Sequence, residues 1–111
     1  MIRVKVRRDE ANLIRSVEVT GHANFAEPGS DLVCAGVSAI IFGAYNAVET
    51  LAGQSLLVEM ADQTEGGYFY VETYPDLSPQ DMERTQLLLE GMLVQLDTIA
   101  QSYGEYIQIE Q

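Results

Sequence analysis

The feature of this sequence that most constrains its fold is a run of 17 residues, Leu32 to Val48, without a charged side chain. The run approaches the length that crosses a bilayer, but it contains the polar Ser38, is diluted by glycines and lacks basic flanks. Such a helix is typical of the core of a globular domain. We therefore predict a buried helix rather than a membrane span. It should begin at Leu32, with Asp31 as its N-cap, and end near Ala52.

Segments in which apolar and polar residues alternate lie on both sides of this helix. Such alternation is typical of half-buried strands, and it predicts four strands at residues 2–7, 13–21, 55–60 and 67–74. Ser78 and Pro79 suit the N-cap and first position of a second helix, which should end before Gly104 and precede a fifth strand at 105–110. The order ββαββαβ predicts an α+β fold, a mostly antiparallel sheet with two helices packed against it, in a single domain over residues 1–111.

The charge and the cysteine content restrict which partners the protein is expected to bind and in which cellular compartment it is expected to work. The sequence has 17 acidic and 6 basic residues, a formal net charge of −11. Nucleic-acid binding depends on clustered lysine and arginine, so we expect no direct nucleic-acid partner. An acidic surface would attract a basic polypeptide, although an ordinary solvated surface explains the charge equally well. One cysteine cannot form an intrachain disulfide, and no signal peptide precedes the first strand, which together favour the cytoplasm.

The candidate site depends on two residues that occur once each, Cys34 and His22. Both lie near glycines at a predicted junction between a strand and a helix. A cysteine nucleophile needs a general base, and the free amides at a helix start favour a negatively charged sulfur. These features favour a cysteine hydrolase. The alternative is a small buried cysteine that only fills space in the core.

The predicted helix start gives Cys34 a specific chemical setting. With Asp31 as N-cap, Cys34 is the third helical residue, and its own N–H has no acceptor within the helix. Free amides of the first turn would stabilise an oxyanion near the sulfur. His22 would act as base toward the thiol and then as acid toward the leaving amine. The segment between them is long enough to close over the site as a flexible loop. It consists of Ala23, Asn24, Phe25, Ala26, Glu27, Pro28, Gly29 and Ser30.

Asp31 and Ser38 are supporting candidates with two interpretations each. Asp31 either caps the helix or orients His22 as a third catalytic member. Ser38 lies one helical turn after Cys34, and it either bonds to its own helix or contacts the thiolate. We expect no metal, because one cysteine and one histidine leave a tetrahedral site two ligands short. We expect no cofactor, because the glycines lack phosphate-binding spacing.

Two short motifs surround these candidates, Gly21-His22-Ala23 and Gly29-Ser30-Asp31-Leu32-Val33-Cys34-Ala35-Gly36-Val37-Ser38-Ala39. Together they resemble the signature of the ribosomal-processing cysteine proteases, the Prp family. The resemblance covers the whole chain and includes its length and the order ββαββαβ. The sequence departs from the family pattern at Gly36, where alanine is common, and this departure leaves the proposed catalytic positions unchanged.

The resemblance implies a cysteine endopeptidase that removes a short N-terminal extension from a large-subunit ribosomal protein, cutting between an aromatic residue and an alanine. It implies Cys34 as nucleophile, His22 as base, residues 23–30 as a mobile loop over the thiol, and a homodimer. The composition of residues 32–48 adds the expectation of no membrane contact. Two alternatives remain open from the residues alone. One is a non-catalytic, ribosome-associated binding module with an inert thiol, and the other is a cysteine hydrolase of small molecules.

Overall fold

The computed structural model describes residues 1–21, 30–61 and 67–111 of the chain. These residues form five strands and two long helices in the order ββαββαβ, which confirms the predicted α+β fold. The elements are β1 (Ile2–Arg8), β2 (Ile14–Thr20), α1 (Ser30–Ala47), β3 (Leu57–Ala61), β4 (Tyr68–Glu72), α2 (Pro79–Ser102) and β5 (Ile107–Glu110).

The five strands form one sheet in the order β3-β4-β2-β1-β5. β1 and β2 pair as an antiparallel hairpin, and β2–β4 and β4–β3 are also antiparallel. β1 and β5 pair in parallel. A parallel connection needs a long crossover, and α2 supplies it between β4 and β5. This order leaves β3 and β5 as the two edges of the sheet.

Both helices cover the same face of the sheet. Strand residues that point to this inner face are buried, and they form one core cluster with the helices. The alternate residues form the open face, which carries the charged and tyrosine side chains of the strands, such as Lys5, Glu18 and Tyr70. The buried strand residues are Ile2, Val4, Val6, Ile14, Val17, Val19, Phe69 and Val71.

α1 begins at Ser30, earlier than predicted, and continues after Ala47 into a π-helical turn at Val48–Ala52. It ends at Gly53 as expected, where the backbone is left-handed (φ 66°) and the amide bonds to the Val48 carbonyl. Residues Leu32–Ala52 are long and apolar enough to cross a membrane by length and composition. One side of this segment packs into the core beside the sheet, and the other side is largely exposed. The buried residues on that side are Val33, Val37, Ile41, Ala44, Val48 and Ala52.

α2 begins as predicted. The Ser78 hydroxyl accepts a hydrogen bond from the Asp81 amide at 3.2 Å, and Pro79 occupies the first turn. Its inner side buries Leu89, Met92, Leu93 and Leu96. It also buries Gln86, which the apolar pattern does not predict. The Gln86 side chain accepts from the Ile14 amide at 2.7 Å and donates to the Ile14 carbonyl at 2.9 Å.

Candidate active site

Cys34 lies on α1 with its side chain half-buried, where it packs against the hydrophobic core. Its neighbours Val33 and Val37 point into the core and are almost fully buried. They fix the rotation of the helix about its axis. The free thiol therefore sits at the border between the packed core and solvent, a position that permits contact with another molecule.

The thiol opens into a cavity of about 500 Å³ between α1 and the sheet. Such a volume lies within the usual range for sites that enclose a small molecule or a large side chain. Three α1 residues spaced four apart line it: Cys34, Ser38 and Phe42. Phe69 of β4 also lines it and packs edge-on against Phe42, with ring centroids 5.5 Å apart. The cavity therefore offers an apolar, aromatic surface next to a nucleophilic atom.

Gly21, which follows β2, also lines this cavity. Its φ of 85° lies in the left-handed region, and a Cβ there would stand only 2.4 Å from the Met1 carbonyl oxygen. Its amide donates a hydrogen bond to the Gly67 carbonyl at 3.2 Å. Only glycine fits this position without strain. The chain is thus held at the edge of the cavity immediately before His22.

Tyr68 also borders the cavity, and acidic side chains approach its ring on the open face of the sheet. Its hydroxyl donates to Glu18 at 3.4 Å. Loss of hydration raises the pKa of Tyr68, and the carboxylates of Glu18 and Glu59 raise it further. The phenol therefore stays neutral well above physiological pH, and the negative charge of Glu18 and Glu59 lies on the open face behind this wall of the cavity.

Comparison with known proteins supports the same chemistry. The family model described as cysteine protease Prp matches residues 1–108. The chain belongs to this family. It is 49% identical to the ribosomal processing cysteine protease Prp of Bacillus subtilis over 109 residues, which cover 98% of this chain and 96% of the relative. The resemblance stated from the motifs is therefore confirmed, and the chain is a cysteine-type peptidase.

Two solved structures share the fold. The ribosomal processing protease Prp of S. aureus, solved with a covalently linked product peptide, is 32% identical with a TM-score of 0.76, covering 99% of this chain and 98% of that one. SMU.848 from Streptococcus mutans is 33% identical with a TM-score of 0.85, covering 99% and 92%. The S. aureus relative, a protease solved with a covalently linked peptide, does not favour a binding module with an inert thiol.

The structure brings some of the predicted Prp site residues together. Cys34 and Ser38 line one cavity, which confirms that they share a face of α1. His22 and residues 23–29 lie outside the described residues, so the dyad and the mobile loop remain predictions. Ser30, predicted as a loop residue, instead begins α1.

The earlier start of α1 corrects one part of the predicted chemistry. Asp31 belongs to the first turn of the helix rather than to the cap position. Cys34 is then the fifth helical residue, and its amide falls within the helix's own ladder, bonding four residues back. A carboxylate is favourable anywhere in a first turn, so the aspartate does not by itself fix where a helix begins. The free amides that an oxyanion could use come before Cys34.

Sequence reasoning missed Phe42 and Met60 as cavity residues. For Phe42 a signal was present, because its spacing of four from Ser38 and eight from Cys34 places all three along one side of a helix. For Met60 there was none, because its position depends on the order of the strands.

Proposed function

We propose that this chain is a cytoplasmic cysteine endopeptidase that removes the N-terminal extension of a large-subunit ribosomal protein, acting as a homodimer. The observation that carries the proposal is the half-buried Cys34 at an aromatic-lined cavity of about 500 Å³. The Bacillus subtilis relative is named a ribosomal processing protease, and the S. aureus relative has been solved with a substrate peptide.

The proposed reaction uses Cys34 and His22 as a catalytic dyad. His22 removes the thiol proton, and the sulfur attacks the carbonyl carbon of the scissile peptide bond. Free amides at the start of α1 stabilise the oxyanion. The carbon–nitrogen bond then breaks as His22 gives its proton to the leaving amine. Water, deprotonated by His22, hydrolyses the thioester and restores the thiol.

Asp31 and Ser38 support this dyad in the proposal. Ser38 shares the cavity with Cys34, where its hydroxyl can contact the substrate or the thiolate. Asp31 lies in the first turn of α1. It either adds its charge to the helix start or orients His22, the two roles that the sequence leaves open.

The proposed substrate suits the cavity and the charge of the chain. An aromatic side chain before the scissile bond matches the Phe42–Phe69 walls, because aromatic rings pack favourably edge to face. The net charge of −11 would speed the encounter with a basic ribosomal protein by electrostatic steering.

The substrate is tested with the ribosomal protein precursor of the host, incubated with the enzyme and read by intact-mass spectrometry. We expect one cut at the end of the extension. A precursor in which the aromatic residue before the junction is replaced by aspartate serves as control and should stay intact. Cleavage of both, or of neither, would contradict the proposed substrate.

The dyad is tested through the reactivity of the thiol. We expect iodoacetamide to alkylate Cys34 quickly at neutral pH in the wild-type protein, and much more slowly in His22→Ala, because the histidine promotes the thiolate. Equal rates in the two proteins would show that His22 does not activate the sulfur. Sedimentation equilibrium and cell fractionation test the homodimer and the compartment.

A further inference from the structure

β3 is an edge strand that other described residues leave uncovered. It pairs only with β4 among the described residues. Four of its five residues are exposed, including Leu57 at 36% and Met60 at 60%. An exposed edge presents unpaired backbone N–H and C=O groups, which are a template for one further strand. Addition of an extended peptide to such an edge is a common mode of recognition.

The same strand forms part of the cavity that holds Cys34. Met60 and Ala61 both line it. Met60 is opposite the buried Phe69 in the β3–β4 pair, so its side chain lies on the inner face of the sheet. A peptide paired with β3 would therefore run along the mouth of the cavity. Every second side chain would point toward the cavity, and the others toward the open face.

The open face next to β3 is acidic. Glu59 is opposite Tyr70, and Glu72 accepts a hydrogen bond from the Tyr70 hydroxyl at 2.5 Å. The basic side chains Arg3, Lys5 and Arg7 of the open face lie on β1, which β4 and β2 separate from this edge. A chain that adds a strand here would place its outward side chains beside carboxylates, so basic residues at those positions are favoured.

The opposite edge of the sheet is different. On β5, Gln108 and Glu110 each accept a hydrogen bond from Arg3 at 3.2 Å. β5 contributes no residue to the cavity. Of the two sheet edges in the described part of the chain, the β3 edge is the one that combines a free backbone with access to Cys34.

We propose that the substrate docks as a sixth strand on β3, with apolar side chains entering the cavity and alternate basic side chains lying over Glu59 and Glu72. This inference rests on the proposed function and adds the conformation and the sequence pattern of the substrate. The segment that binds to the β3 edge is an extended, basic part of the protein being cleaved. Its backbone pairing provides affinity, and the alternation of its side chains provides specificity.

The first test is a backbone scan of a peptide spanning the extension junction, in which one amide at a time is N-methylated. A strand uses every second amide for pairing, so we expect large losses of kcat/KM at alternate positions and small losses between them. If the losses of kcat/KM do not alternate along the peptide, the proposal that the substrate adds a strand to β3 is wrong. If wild-type enzyme fails to cleave the unmethylated peptide, the proposed function fails, and this inference falls with it.

The second test compares Glu59→Lys with Glu83→Lys, an identical change of charge at an exposed position on α2. Repulsion of the basic peptide should raise KM about fivefold in Glu59→Lys at low salt, with kcat unchanged and the effect reduced by added salt. Glu83→Lys should change KM less than twofold. Equal KM values in the two variants, with normal cleavage by both, would overturn the docking site and leave the proposed function intact.

Discussion

α1 and α2 cover the same face of one sheet, yet they pack against it differently. α2 fills the space beneath it: Leu89, Met92 and Leu96 are at most 1% exposed, and the gap near Leu89 has no room for a water molecule. Beside α1, a cavity of about 500 Å³ remains next to Cys34. The difference indicates that α2 mainly stabilises the fold, whereas α1 packs less completely against the sheet and so leaves room for a substrate.

The largest expected effect on the free energy of unfolding comes from a change in α2. Leu96→Ala removes a fully buried side chain, and the remaining void should lower the free energy of unfolding by about 3 kcal/mol. Chemical denaturation measures this loss. Below the unfolding transition kcat/KM should stay close to that of the wild type, since α2 does not line the cavity. A large loss of activity with unchanged stability would contradict the division between the helices.

The matching change on the α1 side is Phe42→Ala. Phe42 is 38% exposed and forms a cavity wall with Phe69. Its loss should cost about 1 kcal/mol of stability, because folding buries less of the Phe42 side chain than of a side chain in the core. KM for an aromatic substrate should rise about tenfold, the value of one lost aromatic contact. Steady-state kinetics with the junction peptide check this result, and an unchanged KM would remove Phe42 from the site.

A smaller effect concerns the attachment of α2 to β1. The Arg8 guanidinium bonds both oxygens of Glu90, at 2.8 and 2.9 Å. These hydrogen bonds lower the pKa of Glu90. Because the folded pKa is depressed, the pair stabilises the protein above the ordinary glutamate pKa, and this contribution disappears as the pH falls through the folded value.

Glu90→Gln should therefore lower the free energy of unfolding at pH 7 by less than about 1 kcal/mol, because the Glu90 side chain is 45% exposed. Urea titrations at pH 7 and pH 3 measure the difference, with Glu83→Gln as control. The gap between wild type and Glu90→Gln should narrow at pH 3. A gap that widens at low pH would contradict the assigned sign.

The smallest expected effect is at Gly36, on the side of α1 that faces Ile99 of α2. A Cβ at Gly36 would lie 3.3 Å from the terminal methyl of Ile99, whereas a Cβ at Gly43 meets nothing within 4 Å. Alanine stabilises a helix interior by up to about 1 kcal/mol relative to glycine. Gly43→Ala should gain most of this, and Gly36→Ala less, as Ile99 shifts. Thermal unfolding compares them; a larger gain at Gly36 would show that the contact is not limiting.

Local patterns in the sequence predict much of the fold. Alternation predicts the strands, and Ser78 with Pro79 predicts the start of α2. The edge position of β3 is not predictable in this way, because it depends on pairing between distant strands. Met60 follows the apolar alternation of a half-buried strand but is 60% exposed. Gln86 is buried because it bonds the backbone of Ile14, a contact between residues far apart in sequence.

The candidate site was predicted in part for the same reason. Cys34 and Ser38 lie on one helix, and helical spacing places them together. The cavity wall formed by Phe69 and Met60 comes from strands that pair only in the folded protein. α1 starts earlier than predicted because an aspartate is favourable both at the cap and in the first turn, so Asp31 does not fix the first helical residue.

The central claim is that the sulfur of Cys34 attacks the peptide bond. The most direct measurement is cleavage of the junction peptide by Cys34→Ala, with thermal unfolding to show that the variant is folded. We predict a loss of rate on the order of 10³-fold or more, as expected when a member of a cooperating catalytic unit is removed. Cleavage by folded Cys34→Ala at the wild-type rate would contradict the claim.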